Sequence, residues 1–376
     1  MKNIHGIIYA YNSFPELREL GAHRTGASLP FCGRYRLIDI ALSSMQNAGI
    51  HDVGVIMQKG YQSLMDHLGA GKTWDMARKV GGMNMLPPYG LPDSNKGFYE
   101  GTMEALNAIG TYLSDDIKAE YIVLTRGDIC ANVDMSALIN AHLASDNDIT
   151  AVCTPPKSAT YVHNHAHHRV ELDENGIVTG IYINQTTDER GYGLLETYIL
   201  SRAKLLEIMR WCAEGNRLHF HKDALIHFLK EGWKIGSFIH EGFARHITCV
   251  SDFWDANMDM LDPELREQVF PCDRPVSTRE RSDVSTYYAA GSKVRNSLVA
   301  DGCVIEGELE NCIVFGGVKV GAGSVLQNCI ILHDTVIGEN VSLNCVISDK
   351  NVTIAPYNSL KGNRRLPIVI PKGSKI

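Results

Sequence analysis

From Tyr288 to the C-terminus the chain keeps a six-residue rhythm, and few other patterns restrict a fold so narrowly. An aliphatic residue followed by a small or polar one recurs through Val294, Ala300, Ile305, Val320-Gly321, Leu326, Leu332, Ile337-Gly338, Leu343 and Val352. Hexapeptide spacing implies a parallel β-helix, in which each coil buries its aliphatic side chains on the coil above. Cys312, Cys329 and Cys345 stand about one coil apart and are expected to stack inside the prism as small apolar residues.

Up to about Met260 the periodicity is different. Apolar strands alternate with helical stretches: Tyr121-Ile122-Val123-Leu124, then a helix from Met135 to Ser145, then Ile149-Thr150-Ala151-Val152. That alternation implies a Rossmann-like α/β domain with a mostly parallel sheet. Asn175-Gly176 marks a hairpin within it. Proline and charge concentrate between Asp262 and Asp283, so the expected division is residues 1–261, a linker over 262–285, and the β-helix over 286–376.

Composition removes several function classes. The formal charge of −7 argues against a nucleic-acid partner, which needs a basic face. No apolar run approaches a membrane span, and the N-terminus enters a strand without a signal-peptide pattern. The 10 cysteines are scattered with no C-x-x-C pair, as expected of reduced thiols in a cytoplasm.

The first strand, ending at Ile7-Ile8-Tyr9, delivers the chain to Tyr11-Asn12-Ser13-Phe14-Pro15-Glu16. A turn that cradles a triphosphate needs glycines, so that backbone N–H groups reach the phosphate oxygens, and it needs positive charge. Pro15 lacks an N–H and Glu16 repels a phosphate. Such a loop does not suit ATP.

The segment from Leu29-Pro30-Phe31-Cys32-Gly33-Arg34-Tyr35-Arg36 to Leu37-Ile38-Asp39 resembles the glucose-1-phosphate adenylyltransferases, whose loop G-G-x-G-x-R-L is followed by K-P and F-G-G-K-Y-R-I-I-D. Counting back from Phe31 places the loop glycines on Tyr11, Asn12 and Phe14, the arginine on Glu16, and K-P on Gly26-Ala27. With this degraded loop the chain is similar to the regulatory, GlgD-type branch. The resemblance implies a GT-A-like nucleotidyltransferase domain followed by a left-handed β-helix.

Site residues follow from the same resemblance. Leu124-Thr125-Arg126-Gly127-Asp128 resembles L-S-G-D-H, so Asp128 matches a metal-binding aspartate that an aspartate capping a turn would equally explain. The second carboxylate falls on His246, a poor magnesium ligand. The Glu-Lys pair of F-x-E-K-P falls on Asn184 and Gln185, and S-M-G-I-Y on Leu194-Leu195-Glu196-Thr197-Tyr198. An F-G pair falls on His167-His168, while Phe220-His221-Lys222-Asp223 keeps three of the four residues of F-G-K-D. Tyr99 keeps a sugar-contacting position. Tyr99, Asn184, Gln185 and His168 are thus vestigial substrate positions. No catalytic residue is expected to work, Asp128 being vestigial and Glu16, Gly26 and His246 lost.

His163, His165, His167 and His168 are expected in a solvated loop. His333 sits where some β-helix acyltransferases place a general base, although a turn histidine is commoner. Arg34 and Arg36, one residue apart in an expected strand, suit either an anionic effector or neighbouring acids. Lys361 with Arg364 and Arg365 forms a second basic candidate.

The resemblance implies a cytoplasmic regulatory subunit, catalytically degraded, that joins a catalytic glucose-1-phosphate adenylyltransferase subunit in a heterotetramer of glycogen biosynthesis. It would bind no cofactor firmly, and magnesium would serve the partner's reaction. An active adenylyltransferase with an atypical loop is the alternative, and a hexapeptide-repeat acyltransferase a remote one.

Overall fold

The computed structural model describes residues 3–12, 14–58, 60–79, 81–88, 99–156, 167–185 and 191–376. The chain forms two compact units: Met1–Asn12, Ile38–Arg245 and Pro271–Ser277 in the first, and Ser13–Leu37, His246–Phe270 and Thr278–Ile376 in the second.

The first unit is built on a nine-stranded mixed sheet. Its centre is parallel: Ile4–Tyr9 lies between Tyr121–Arg126 and Val53–Ile56, and Met83–Leu86 adds to the edge. Tyr192–Ser201 runs antiparallel to Tyr121–Arg126 and to Ile149–Thr154, and Ile235–Ile239 pairs parallel with the latter. The hairpin of His167–Leu172 and Val178–Gln185 closes through Gly176, whose φ of 75° few other residues adopt without strain. Interior strands such as Ile149–Thr154 are buried throughout, as sheets covered on both faces require.

Helices cover the sheet with regular stripes. In Arg202–Glu214 the buried residues are Leu205, Ile208, Met209 and Cys212, one face of a helix, and Ser201 caps it by accepting the Lys204 N–H. Met135–Leu143 is capped by Asp134, which accepts the Ala137 N–H at 2.8 Å. The register Tyr9↔Arg126 sets the C-terminal ends of two parallel strands side by side. That adjacency assembles the site.

The second unit carries the β-helix. Three sheets of five parallel strands follow the hexapeptide rhythm, with Ile305, Val320, Ile337 and Ile354 stacked in register along one of them. Asn296, Asn311 and Asn328 occupy one corner with φ of 42°, 52° and 53°, a conformation asparagine tolerates better than most residues. Their amides form a ladder up the corner, Asn296 to Asn311 at 2.7 Å and Asn311 to Asn328 at 3.3 Å. Cys312 and Cys329 follow these asparagines and are buried in the core as expected.

Cys345 departs from that expectation. Because Gln327 pairs with Asn344 and Ile330 with Ile347, Cys329 lies opposite Val346, and Cys345 takes the corner itself with φ of 51°. A second departure concerns Arg34. The strand covers only Tyr35–Arg36, paired with Pro30–Phe31, and Arg34 sits in the intervening turn, where Cys32 and Gly33 both have positive φ. The two arginines therefore share no strand face. The proline-rich stretch after Asp262 includes a helix, Pro263–Val269, which Asp262 caps.

Candidate functional site

Tyr9 and Arg126 lead the chain from adjacent strands into Tyr11-Asn12 and Gly127-Asp128. The Arg126 guanidinium donates from Nε to Asp128 Oδ1 at 2.8 Å and from Nη2 to Oδ2 at 3.0 Å. Its Nη1 donates to Glu196 Oε1 at 2.6 Å. Asn12 Nδ2 adds a further bond to Asp128 Oδ2 at 3.0 Å. Asp128 is 1% exposed, so these bonds satisfy a carboxylate that water barely reaches. Burial opposes the charge on Arg126, yet Asp128 and Glu196 outweigh it and hold the guanidinium pKa well above its ordinary value.

Magnesium fits this donor set poorly. It requires oxygen ligands in near-octahedral order. Both Asp128 oxygens already accept N–H groups, and the guanidinium beside them would repel a cation. The position of the second carboxylate, His246, is buried in the second unit.

The space beside Asp128 holds aromatic side chains. Tyr11 is buried in the same core cluster as Tyr9 and Tyr99, with ring centroids at 6.1 Å from Tyr9 and 5.7 Å from Tyr99. Burial drives the phenols of Tyr9 and Tyr11 to pKa values above the ordinary range, so both stay neutral. Where the aligned loop has glycine to admit phosphate, this chain packs a ring.

Glu196 sits at an irregularity in Tyr192–Ser201, where pairing with Ile149–Thr154 shifts register between Leu194 and Tyr198. Its φ is 50°, which costs a non-glycine residue of order 1–3 kcal/mol. Oε2 faces His221 Nδ1 at 3.6 Å, and His221 stacks on His168 with centroids 4.0 Å apart. Burial first, then the charges of His221 and Arg126, push the His168 pKa down to about 4, and burial, with His219, Arg126 and Lys222, lowers that of His221. Both imidazoles are neutral at pH 7.

The structure thus unites Asp128, Tyr99 and His168 with Arg126, Glu196 and His221. His168 is a half-buried strand residue, which corrects the expectation of a solvated loop. Asn184 and Gln185 lie in the strand Val178–Gln185, and His163 and His165 fall outside the described residues. Glu16 is exposed in Pro15–Gly21 and Gly26 is buried at the start of Gly26–Ser28, both in the second unit. Arg126, Glu196 and His221 lie within the compared motifs, but the resemblance gives none of them a role. A charged residue just before a strand-end Gly-Asp was the available signal.

The basic candidates all belong to the second unit. Arg34, Arg266, Arg279 and Arg281 line a cavity of about 310 Å³ with His333, Asp283 and Asp301. Arg281 pairs with Asp283 at 2.8 Å and Asp334 at 3.3 Å. Burial and the charges of Lys350, Arg281, Arg36 and Arg24 lower the His333 pKa to about 3. Burial, then Arg36 and Arg24, bring Lys350 down to about 7. Arg364 pairs with Asp255 at 3.2 Å, and Arg365 is exposed.

Residues 16–261 match the nucleotidyl transferase family, and residues 284–363 match the GlmU-like, C-terminal hexapeptide family. The chain is 32% identical to the glycogen biosynthesis protein GlgD of Bacillus subtilis (strain 168), across 95% of this chain and 92% of that one. It is 29% identical to the glucose-1-phosphate adenylyltransferase of Bacillus anthracis, across 91% and 90% respectively. Among the described residues, no helix is long and apolar enough to cross a membrane.

Proposed function

The chain belongs to the nucleotidyl transferase family, in company with the GlgD-type proteins, and from that premise we propose that it is a catalytically degraded, regulatory subunit of a glucose-1-phosphate adenylyltransferase in glycogen biosynthesis. One observation carries the reading: Arg126 occupies both oxygens of Asp128. Adenylyl transfer needs a metal held on carboxylates and cations placed on phosphates. Here the protein's own cation takes the metal's electrostatic place, and Tyr11 fills space that a nucleotide loop leaves open. The same facts weigh against a working adenylyltransferase with an atypical loop.

In this reading the partner is a catalytic glucose-1-phosphate adenylyltransferase subunit, the assembly is a heterotetramer, and magnesium serves the partner. An anionic effector would bind the cationic face of the second unit, with Arg34 at the cavity and Arg36 beside Lys350 and Arg24. Arg364 is a weaker candidate because Asp255 already pairs with it. The test is ADP-glucose synthesis by the purified chain, by the catalytic subunit, and by the mixture. The chain alone should be inert, and the mixture should differ from the catalytic subunit in half-saturating substrate or effector concentration. Turnover by the pure chain comparable with the catalytic subunit's would overturn the reading.

A further inference from the structure

We propose that His168, Glu196 and His221 form a binding site for a divalent transition-metal ion of the zinc class. Each offers one ligand atom, and the three atoms lie within 4.8 Å of one another. They come from three elements: the strand His167–Leu172, the strand Tyr192–Ser201 and the helical turn Phe220–Ala224.

The chemistry of the set is selective. Two imidazole nitrogens and one carboxylate oxygen suit zinc and its neighbours in the first transition row, whereas magnesium requires more oxygen. Glu196 divides its oxygens: Oε1 accepts from Arg126 at 2.6 Å while Oε2 faces His221 Nδ1 at 3.6 Å. That contact is near the roughly 3.3 Å that separates two ligands bound at about 2.05 Å in tetrahedral order. Arg126 would orient the carboxylate from behind, as outer partners do in metal sites.

Arg126, Asp128 and Glu196 together carry one net negative charge, which a neighbouring Lys222 offsets, so the donor atoms and not the net charge favour the ion. The backbone supplies an independent observation, since Glu196 holds a φ of 50° that glycine would adopt without cost. Strain of this kind concentrates at functional positions. The stacked rings must fan apart to share an ion, by side-chain rotation that leaves the backbone in place. The bound ion would tie the three elements together across the degraded pocket, with a fourth position left to water.

The experiment uses the full chain carrying Cys272→Ser, which removes an exposed thiol. Zinc is titrated against a colorimetric chelator, and cobalt is followed by its visible absorption. The expected result is one zinc equivalent that excess magnesium does not displace, weakened about tenfold or more by His168→Gln and by His221→Gln. Absence of binding, or binding that neither variant weakens, overturns the proposal. Zinc-edge anomalous diffraction from crystals of the unmutated chain soaked in zinc chloride decides the matter if the variants misfold. A peak among the three side chains supports the site, and a peak only elsewhere, or none, refutes it.

Discussion

Arg126 and Asp128 form a two-point ion pair across a single intervening glycine, Nε to Oδ1 at 2.8 Å and Nη2 to Oδ2 at 3.0 Å. The pair is buried, and the third guanidinium nitrogen is spent on Glu196. Removing one member of a buried ion pair leaves an uncompensated charge, which typically costs about 3–5 kcal/mol. Arg126→Met should therefore lose about that much stability in urea denaturation. Adding Asp128→Asn and Glu196→Gln to the same chain should recover most of it. A loss below about 1 kcal/mol for Arg126→Met, as for an exposed pair, would contradict the buried network.

Restoring the loop alone should not restore chemistry. Glycine at Tyr11, Asn12 and Phe14, arginine at Glu16 and lysine at Gly26 leave Arg126 on Asp128 and no second carboxylate. Tyr11→Gly also removes a buried ring packed on Tyr9 and Tyr99, at a cost of about 3–5 kcal/mol. Measurable ADP-glucose synthesis should additionally require Arg126→Ser, His246→Asp, Asn184→Glu and Gln185→Lys. Robust turnover from the loop changes alone would show that the other positions do not limit the reaction.

His333 predicts a pH dependence. Its folded pKa of about 3 lies below the ordinary 6.5, so as pH falls the unfolded chain binds this proton first. The contribution is fully present above about pH 6.5, is lost progressively as pH drops toward 3, and is constant below that. His333→Asn should remove that component, so the stability difference between variant and parent should change across this window. The check is denaturant unfolding of both chains between pH 7 and 4, by circular dichroism. A difference that stays flat with pH would refute the depressed pKa.

Much of the fold was legible because it rests on periodicity. The hexapeptide rhythm located the parallel sheets, and alternation located Tyr121–Arg126 and Ile149–Thr154. Asn175-Gly176 located the hairpin. Register was harder, because one residue decides which side chain turns a corner, and Cys345 falls at the corner while Val346 stacks on Cys329. The site was legible only as losses. Asp128 and the missing loop glycines could be read from motif positions, but the role of Arg126 depends on convergence with Glu196, 70 residues away. No local pattern encodes that contact. His168 and His221 likewise meet only in the folded chain, one from a strand and the other from a helical turn distant in sequence.

Arg34 and Arg36 provide a test of effector sensing within the assembly. Arg34 is exposed in a turn at the cavity, and Arg36 is half-buried close enough to Lys350 to help lower its pKa. Arg34→Ala or Arg36→Ala should weaken any anion-dependent shift in the mixed oligomer by about 5-fold or more, within the usual range of coupling energies. Size-exclusion chromatography should show the oligomer intact. Dissociation of the oligomer, or an effector response unchanged in both variants, would remove these arginines from sensing.

The central claim is that this chain acts on a catalytic partner and not on substrate. The most direct measurement is the half-saturating glucose 1-phosphate concentration of the catalytic subunit as this chain is titrated into it. The account predicts a saturable decrease of roughly 5- to 150-fold, corresponding to a coupling of about 1–3 kcal/mol, with the pure chain inert under the same conditions. A titration that leaves the kinetics of the catalytic subunit unchanged, with no mixed oligomer formed, would contradict it.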